Sequence, residues 1–257
     1  MTALFLLLLL GSPDPEYSFI SFHLPYSAHY GVWSANPAGL QCGNRNRLYL
    51  AHQHHPGTNL YHSTAGVVIS TPAVNYAGSI SYTGNQLLSR TELRMAAAYA
   101  MARSSVGLRT RVIQLASKGL PTRYGLCLTA GSIISISEKV NLGLKAENIL
   151  AGGYTNSQEL LPVTFTAGIA VRPADKIMVI ADLTKPIHQP LRVNGGFTCL
   201  VGKFFSFETA VRTAERKFRF GLGFSNNRIA VNYAIDLHRE LGSFQQLQFI
   251  TILTGRS

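Results

Sequence analysis

Residues 217–254 read KFRFGLGFSNNRIAVNYAIDLHRELGSFQQLQFITILT, and this stretch decides the fold. Phe218, Phe220, Leu222 and Phe224, then Val231, Tyr233, Ile235 and Leu237, alternate with Gly, Arg, Asn, Ala and Asp. A period of two, with one apolar face and one small or polar face, is the signature of strands that are greasy on one side only. The same pattern recurs back to Arg47 almost without a helical interruption. So long a run of one-sided strands needs an apolar medium for its outer face. A closed transmembrane barrel supplies one, because closure also pairs every strand edge.

Composition agrees with an all-β barrel in one domain. The chain has 257 residues, 46% hydrophobic and 14% charged, with a mean hydropathy of +0.13. Yet no apolar run is long enough to cross a bilayer as a helix. The continuous apolar segment Ala3–Leu10 (ALFLLLLL) sits where the h-region of an export signal belongs, so residues 1–12 are read as a signal-peptide remnant. The net charge of +11 and pI near 9.8 raise the question of nucleic acid. The charges are scattered, however: Arg90, Arg94, Arg103, Arg109 and Arg111 lie among alternating segments, without a Gly-rich loop or stacking aromatics. They read as a polar lumen or rim, and nucleic acid is not expected as a partner. Cys42, Cys127 and Cys199 are too widely spaced for a zinc pattern and allow at most one disulfide.

Alternating segments bounded by Gly, Pro, Asn, Asp or Ser number about fourteen, from 47–54 to 244–254, mostly of the length that a tilted strand needs to span a membrane. Pro173-Ala174-Asp175 and Ser225-Asn226-Asn227 read as tight turns, giving an up-and-down antiparallel meander. The longest loop of the second half, 151–161, is expected on the outer face of the membrane. Faces can be assigned residue by residue. Phe165, Ala167, Ile169 and Val171 share one side, and Thr164, Thr166, Gly168 and Arg172 the other. Small and polar residues on the second face suit a narrow or plugged interior. A soluble sandwich would turn the same apolar face inward, which the pattern alone leaves open.

Residues 13–46 do not alternate, and are expected to form a plug ahead of a barrel at 47–257. They contain Trp33 and the turn-forming Asn36-Pro37-Ala38-Gly39-Leu40. The segment Gly31–Leu40, together with the closing hairpin Val231–Phe244, resembles the PorV/PorQ family of outer-membrane proteins, relatives of the FadL-like long-chain fatty acid transporter barrels. The resemblance implies a fourteen-stranded barrel in the outer membrane of a Gram-negative bacterium, with Trp33, Asn36, Pro37, Ala38, Gly39 and Leu40 in a plug or lumenal turn. It also implies contact with outer-membrane lipid and a non-enzymatic role. That role is type IX secretion-like export, as a scaffold for exported proteins or secretion components, or alternatively transport of a hydrophobic small molecule. The chain is short for such a barrel, which implies trimmed surface loops.

Chemistry beyond passage or binding finds little purchase. His52 and His54 share a strand face but lack the further ligands that a metal site requires. Asp236, His238 and Ser243 lie close in sequence, without a nucleophile elbow. No catalytic residue, metal or cofactor is expected. Lys145 with Glu147, Glu208 with Arg212, and Asp236 with His238 are same-face pairs, expected to line the lumen as an ion-pair ladder or a selectivity element.

Overall fold

In the computed structural model, the described residues are 35–42, 45–55, 60–85, 87–150, 161–213, 217–226, 228–239 and 242–253. Fourteen strands form one closed antiparallel barrel, each paired with its neighbours in sequence and the last with the first. They are β1 (Asn46–His55), β2 (Leu60–Ile69), β3 (Val74–Gly84), β4 (Leu88–Met101), β5 (Ser104–Ser117), β6 (Leu120–Ser135) and β7 (Val140–Glu147). The second half comprises β8 (Thr164–Ala174), β9 (Ile177–Pro186), β10 (Arg192–Val201), β11 (Phe205–Arg212), β12 (Lys217–Ser225), β13 (Ile229–His238) and β14 (Gly242–Leu253). The seam runs from Asn46 opposite Leu253 to His54 opposite Gln245, so no strand edge is left open.

The ends of the barrel differ. At the turn end lie the start of β1, the finish of β14 and short connections such as 102–103 and 175–176. The loop end carries the long connection 148–163, of which 151–160 fall outside the described residues. Local chemistry makes the tight turns. Asn226 Oδ1 accepts from the N–H groups of Arg228 and Ile229, both at 2.8 Å, and Asn85 Oδ1 caps Leu87 and Leu88 in the same way at 2.9 and 3.1 Å. The turn expected at Pro173-Ala174-Asp175 falls later, at Asp175–Lys176. The register there shifts between Val171 and Ala174, because Pro173 has no N–H for the ladder and β8 bulges past it.

The face assignment settles the medium. Among the described residues, every Asp, Glu, Lys and Arg within a strand shares the inward parity except Lys185, the penultimate residue of β9. The outward face is apolar from strand to strand: Leu48, Leu108, Leu126, Leu144, Leu183 and Leu222 are all exposed. Outward aromatics gather toward both ends, with Tyr61, Tyr82 and Tyr124 near the loops, and Tyr76, Tyr99, Phe205 and Phe224 near the turns. This is the banding that a bilayer imposes on a barrel. A soluble sandwich would show the inverse placement.

The glycine face of β12 is less accommodating than its sequence indicates. A Cβ on Gly221 would meet the Glu208 side chain, and one on Gly223 the Ser206 and Asn232 side chains, so Arg at either would collide with a filled lumen. The half-buried lumenal rim residue His238 is the better comparison with the lipid face. Leu222→Arg is expected to cost about 2–4 kcal/mol of barrel stability, and His238→Arg or Leu222→Ala about 1 kcal/mol or less. Denaturant titration followed by the heat-modifiable gel shift measures the difference.

Candidate functional site

The lumen divides into an apolar half and a charged half, and a short segment of chain occupies the apolar one. Residues Pro37–Cys42 form a single 3-10 helix against β3, β4, β5 and β6. Asn36, Pro37, Ala38, Gly39 and Leu40 are all buried there, while Trp33 lies outside the described residues. Several polar groups of the turn find partners. Asn36 Nδ2 donates to the carbonyls of Ser132 and Leu144, each at 3.3 Å, which face one another across the β6–β7 ladder. Asn36 Oδ1 accepts from Ala38 N–H at 3.1 Å, and Asn36 O from Gly39 N–H at 2.9 Å. From the wall, Ser105 Oγ donates to Ala38 O at 3.1 Å and Asn75 Nδ2 to Leu40 O at 2.8 Å. An Asn-Pro-Ala-Gly turn is small enough for this approach, provided that the wall is bare. Gly107 and Gly131 make it so: a Cβ on either would run into Pro37 and Ala38, or Asn36.

Around the helix the interior is apolar. Leu40 packs with Tyr49, Val68 and Ile250, and Ala38 lies in a cluster with Ile133, Met178, Ile180 and Leu200. Strict alternation did not announce these inward apolar residues. Their signal was its local failure, as in Ile177-Met178-Val179-Ile180, where both faces are greasy at once.

Toward the loop end the lumen is charged. Of the expected same-face pairs, Lys145 Nζ meets Glu147 at 3.0 Å, and Glu147 also takes Arg109 Nη2 at 3.0 Å. Glu208 and Arg212 share the inward face as expected, but Glu208 also reaches across the ladder to Arg219 Nε at 3.4 Å. Asp236 joins Lys217 at 3.0 Å and Arg219 at 3.3 Å, with His238 inward beside them, opposite Lys217 in the register. The principal cluster, however, lies on β4 and β5. Glu92 binds Arg90 and Arg94, with Arg111 4.0 Å away. Arg90, Arg94, Arg109 and Arg111 thus line the lumen, whereas Arg103 lies exposed in the β4–β5 turn. Spacing by two along β4 (Arg90, Glu92, Arg94) was the available clue, since it stacks all three on one face.

Outside the wall, behind the helix, runs an apolar groove of about 920 Å³. Its walls include Tyr99, Leu108, Leu144 and Phe165, and its floor the small outward residues Ala97, Ala130, Ser132, Ala146 and Ala167 together with Gly107 and Gly131. Those two glycines therefore have the groove on one side and Asn36–Ala38 on the other. Among the described residues, no group of three or more His, Cys, Asp or Glu could hold a metal ion. Cys127 is buried, Cys199 is half-buried in the wall, and both are free thiols.

No family model matches the chain, and no curated protein matches its sequence. Solved structures are similar to it in fold. The CymD monoaromatic hydrocarbon channel superimposes with a TM-score of 0.66 at 10% identity, covering 90% of this chain and 95% of that one. The toluene transporter TodX of Pseudomonas putida gives 0.66 at 9% identity, with 90% and 93% covered. The toluene transporter TbuX of Ralstonia pickettii gives 0.62 at 10%, with 87% and 92% covered. At such identities the likeness concerns the barrel itself.

The seating of the segment is testable at the glycines. In Gly131→Leu, Asn36 must leave the wall, forfeiting its contacts with two carbonyls at a cost of about 1–3 kcal/mol. A cysteine placed by Ala38→Cys is expected to resist a water-soluble maleimide in the parent and to react readily when combined with Gly131→Leu, while the barrel keeps its heat-modifiable migration.

Proposed function

We propose that this chain is an outer-membrane barrel of a Gram-negative bacterium that passes hydrophobic small molecules, with residues 36–40 acting as a lumenal plug. The observation that carries this reading is the two-sided arrangement at Gly107 and Gly131. A plug turn covers them from within, and an almost wholly apolar groove opens on them from the membrane. At these two positions the wall has no side chain between the inner turn and the groove. An apolar solute entering from the loop end would meet the apolar half of the lumen around Ala38 and Leu40, and leave through the wall or along the lumen. A groove whose surface is mostly apolar, with Lys145 and Lys185 in its lining, offers such a solute low-cost transfer, whereas a polar solute would find few hydrogen-bond partners. The fold shared with CymD, TodX and TbuX supports the same direction, as those proteins are described as a monoaromatic hydrocarbon channel and as toluene transporters. In this reading the short-turn end faces the periplasm and the connection 148–163 the outside, as is usual for such barrels.

A secretion scaffold receives less support. Apart from 148–163, the loop-end connections are brief, and offer an exported protein little rim to grip.

Uptake of a labelled monoaromatic hydrocarbon by cells that make the protein, against cells that lack it, tests the proposal. Ala146→Trp fills the groove from the lipid side, where a large apolar residue does not oppose the fold, and is expected to lower uptake several-fold with unchanged barrel content. Uptake equal to that of cells without the protein would overturn the transport reading.

A further inference from the structure

One row of the outer wall can be followed from strand to strand through the ladder register. Ala97 stands opposite Leu108, Leu108 opposite Ala130, Ala130 opposite Ala146, Ala146 opposite Phe165, and Phe165 opposite Lys185. All of these residues line the apolar groove. The row crosses from β4 to β9 in five inter-strand steps, about 24 Å at a spacing of about 4.8 Å. It also climbs, since Ala97 lies toward the turn end of β4 whereas Lys185 is next to last at the loop end of β9. Ladder partners face one another at right angles to the strands, so with a strand tilt of about 40° the row rises by roughly 15 Å, the depth of one leaflet in a hydrocarbon core about 30 Å thick. At its upper end the groove meets charge. Lys185 is exposed, and among the described strand residues it is the charged one with outward parity. Its Nζ donates to Gln189 O at 2.7 Å, and an ammonium has further N–H donors to offer. Gln189 Oε1 accepts from Arg192 Nη2, which holds a second cation at the same turn. A basic residue on the lipid face is costly at mid-depth but tolerated at the interface, where its long stem lies on apolar surface and its head reaches the polar layer.

We infer that this groove is a binding site for an anionic phospholipid of the leaflet at the loop end, with its phosphate on Lys185 and one acyl chain laid along the row toward Ala97. The inference goes beyond the transport reading and does not depend on it, because a lipid site on the outer face needs no open lumen. Two features together select this occupant. The trough is apolar along its length and about one leaflet deep, and a positive charge stands where a headgroup would lie. A free phosphate leaves the trough unused, and an uncharged apolar molecule leaves Lys185 unused. Small residues such as Ala97, Ala130 and Ala146 keep the trough open, while Leu108 and Phe165 give the chain apolar contact. Basic side chains beside membrane-exposed grooves attract anionic headgroups by the same electrostatics that draws basic segments to anionic leaflets.

Native mass spectrometry of the full chain in detergent, with phosphatidylglycerol or phosphatidylcholine added in turn, tests this. The first phosphatidylglycerol is expected to bind about fivefold more tightly than phosphatidylcholine, the effect of one basic residue near an anionic membrane surface. Lys185→Gln is expected to abolish that preference without changing phosphatidylcholine binding, and Lys185→Arg to keep it. Ala146→Trp fills the trough and is expected to weaken both lipids several-fold. Each variant is first checked for heat-modifiable migration, and Ala130→Phe replaces Ala146→Trp if the latter does not fold. Glycerol phosphate, a headgroup without chains, is expected to leave no adduct at the same concentrations, which separates a lipid from a free phosphate. An unchanged preference in Lys185→Gln, lipid binding untouched by the trough-filling variant, or glycerol phosphate binding as tightly as the lipid would each overturn the inference. So would a dimer that the trough-filling variant dissociates, since the groove would then belong to a second copy of the chain.

Discussion

Everything in this molecule depends on the closure of β1 onto β14. In hydrocarbon, a backbone N–H or C=O without a partner costs several kcal/mol, so a sheet can cross a membrane only if it has no edge. The seam from Asn46–Leu253 to His54–Gln245 completes that circuit. Once it is closed, each residue's side is a matter of parity. The outward face can be apolar throughout because lipid rewards it, and the charged residues have only the lumen left.

An interior obliged to take the charges then has to manage them. Across the loop-end half, cations share carboxylates, within one strand where Arg90 and Arg94 share Glu92 on β4, and between strands where Lys217 and Arg219 on β12 share Asp236 on β13. At the turn end the solution is different. There apolar clusters surround the inner segment, and the chain supplies its own filling in Asn36–Leu40. Asn36 is the hinge of that arrangement in chemical terms, as it satisfies its own turn with Oδ1 and reaches the wall with Nδ2. The glycines at 107 and 131 are what let a backbone turn approach a strand so closely.

Much of the fold was legible in the sequence because a barrel strand is written in a local code. Alternation at Phe218–Phe224 or Phe165–Val171 needs only neighbouring residues to be read, and the observed strands differ from the expected ones by a few residues at their ends. The turn after β8 was misplaced by that same locality, since the bulge at Pro173 depends on what β9 offers in return. The inward orientation of Lys145, Glu147, Glu208, Arg212, Asp236 and His238 followed from parity, but their partners did not. Glu208 finding Arg219, and Glu147 finding Arg109 two strands away, depend on the stagger of the barrel. The groove was invisible for a similar reason. Ala97, Ala130, Ala146 and Ala167 are far apart in the chain, and become one concavity only when four ladders set them side by side.

By itself, the sequence determined the element type, the strand count and which residues share a face, because all three are set by a two-residue period and by turn chemistry that acts over a few positions. Tertiary structure alone decided where Asn36–Leu40 lodges, which cation meets which carboxylate, and that the groove and the inner segment meet at the same two glycines. Those features arise from contacts between strands whose relative stagger no local pattern records, so they exist only once the barrel has closed.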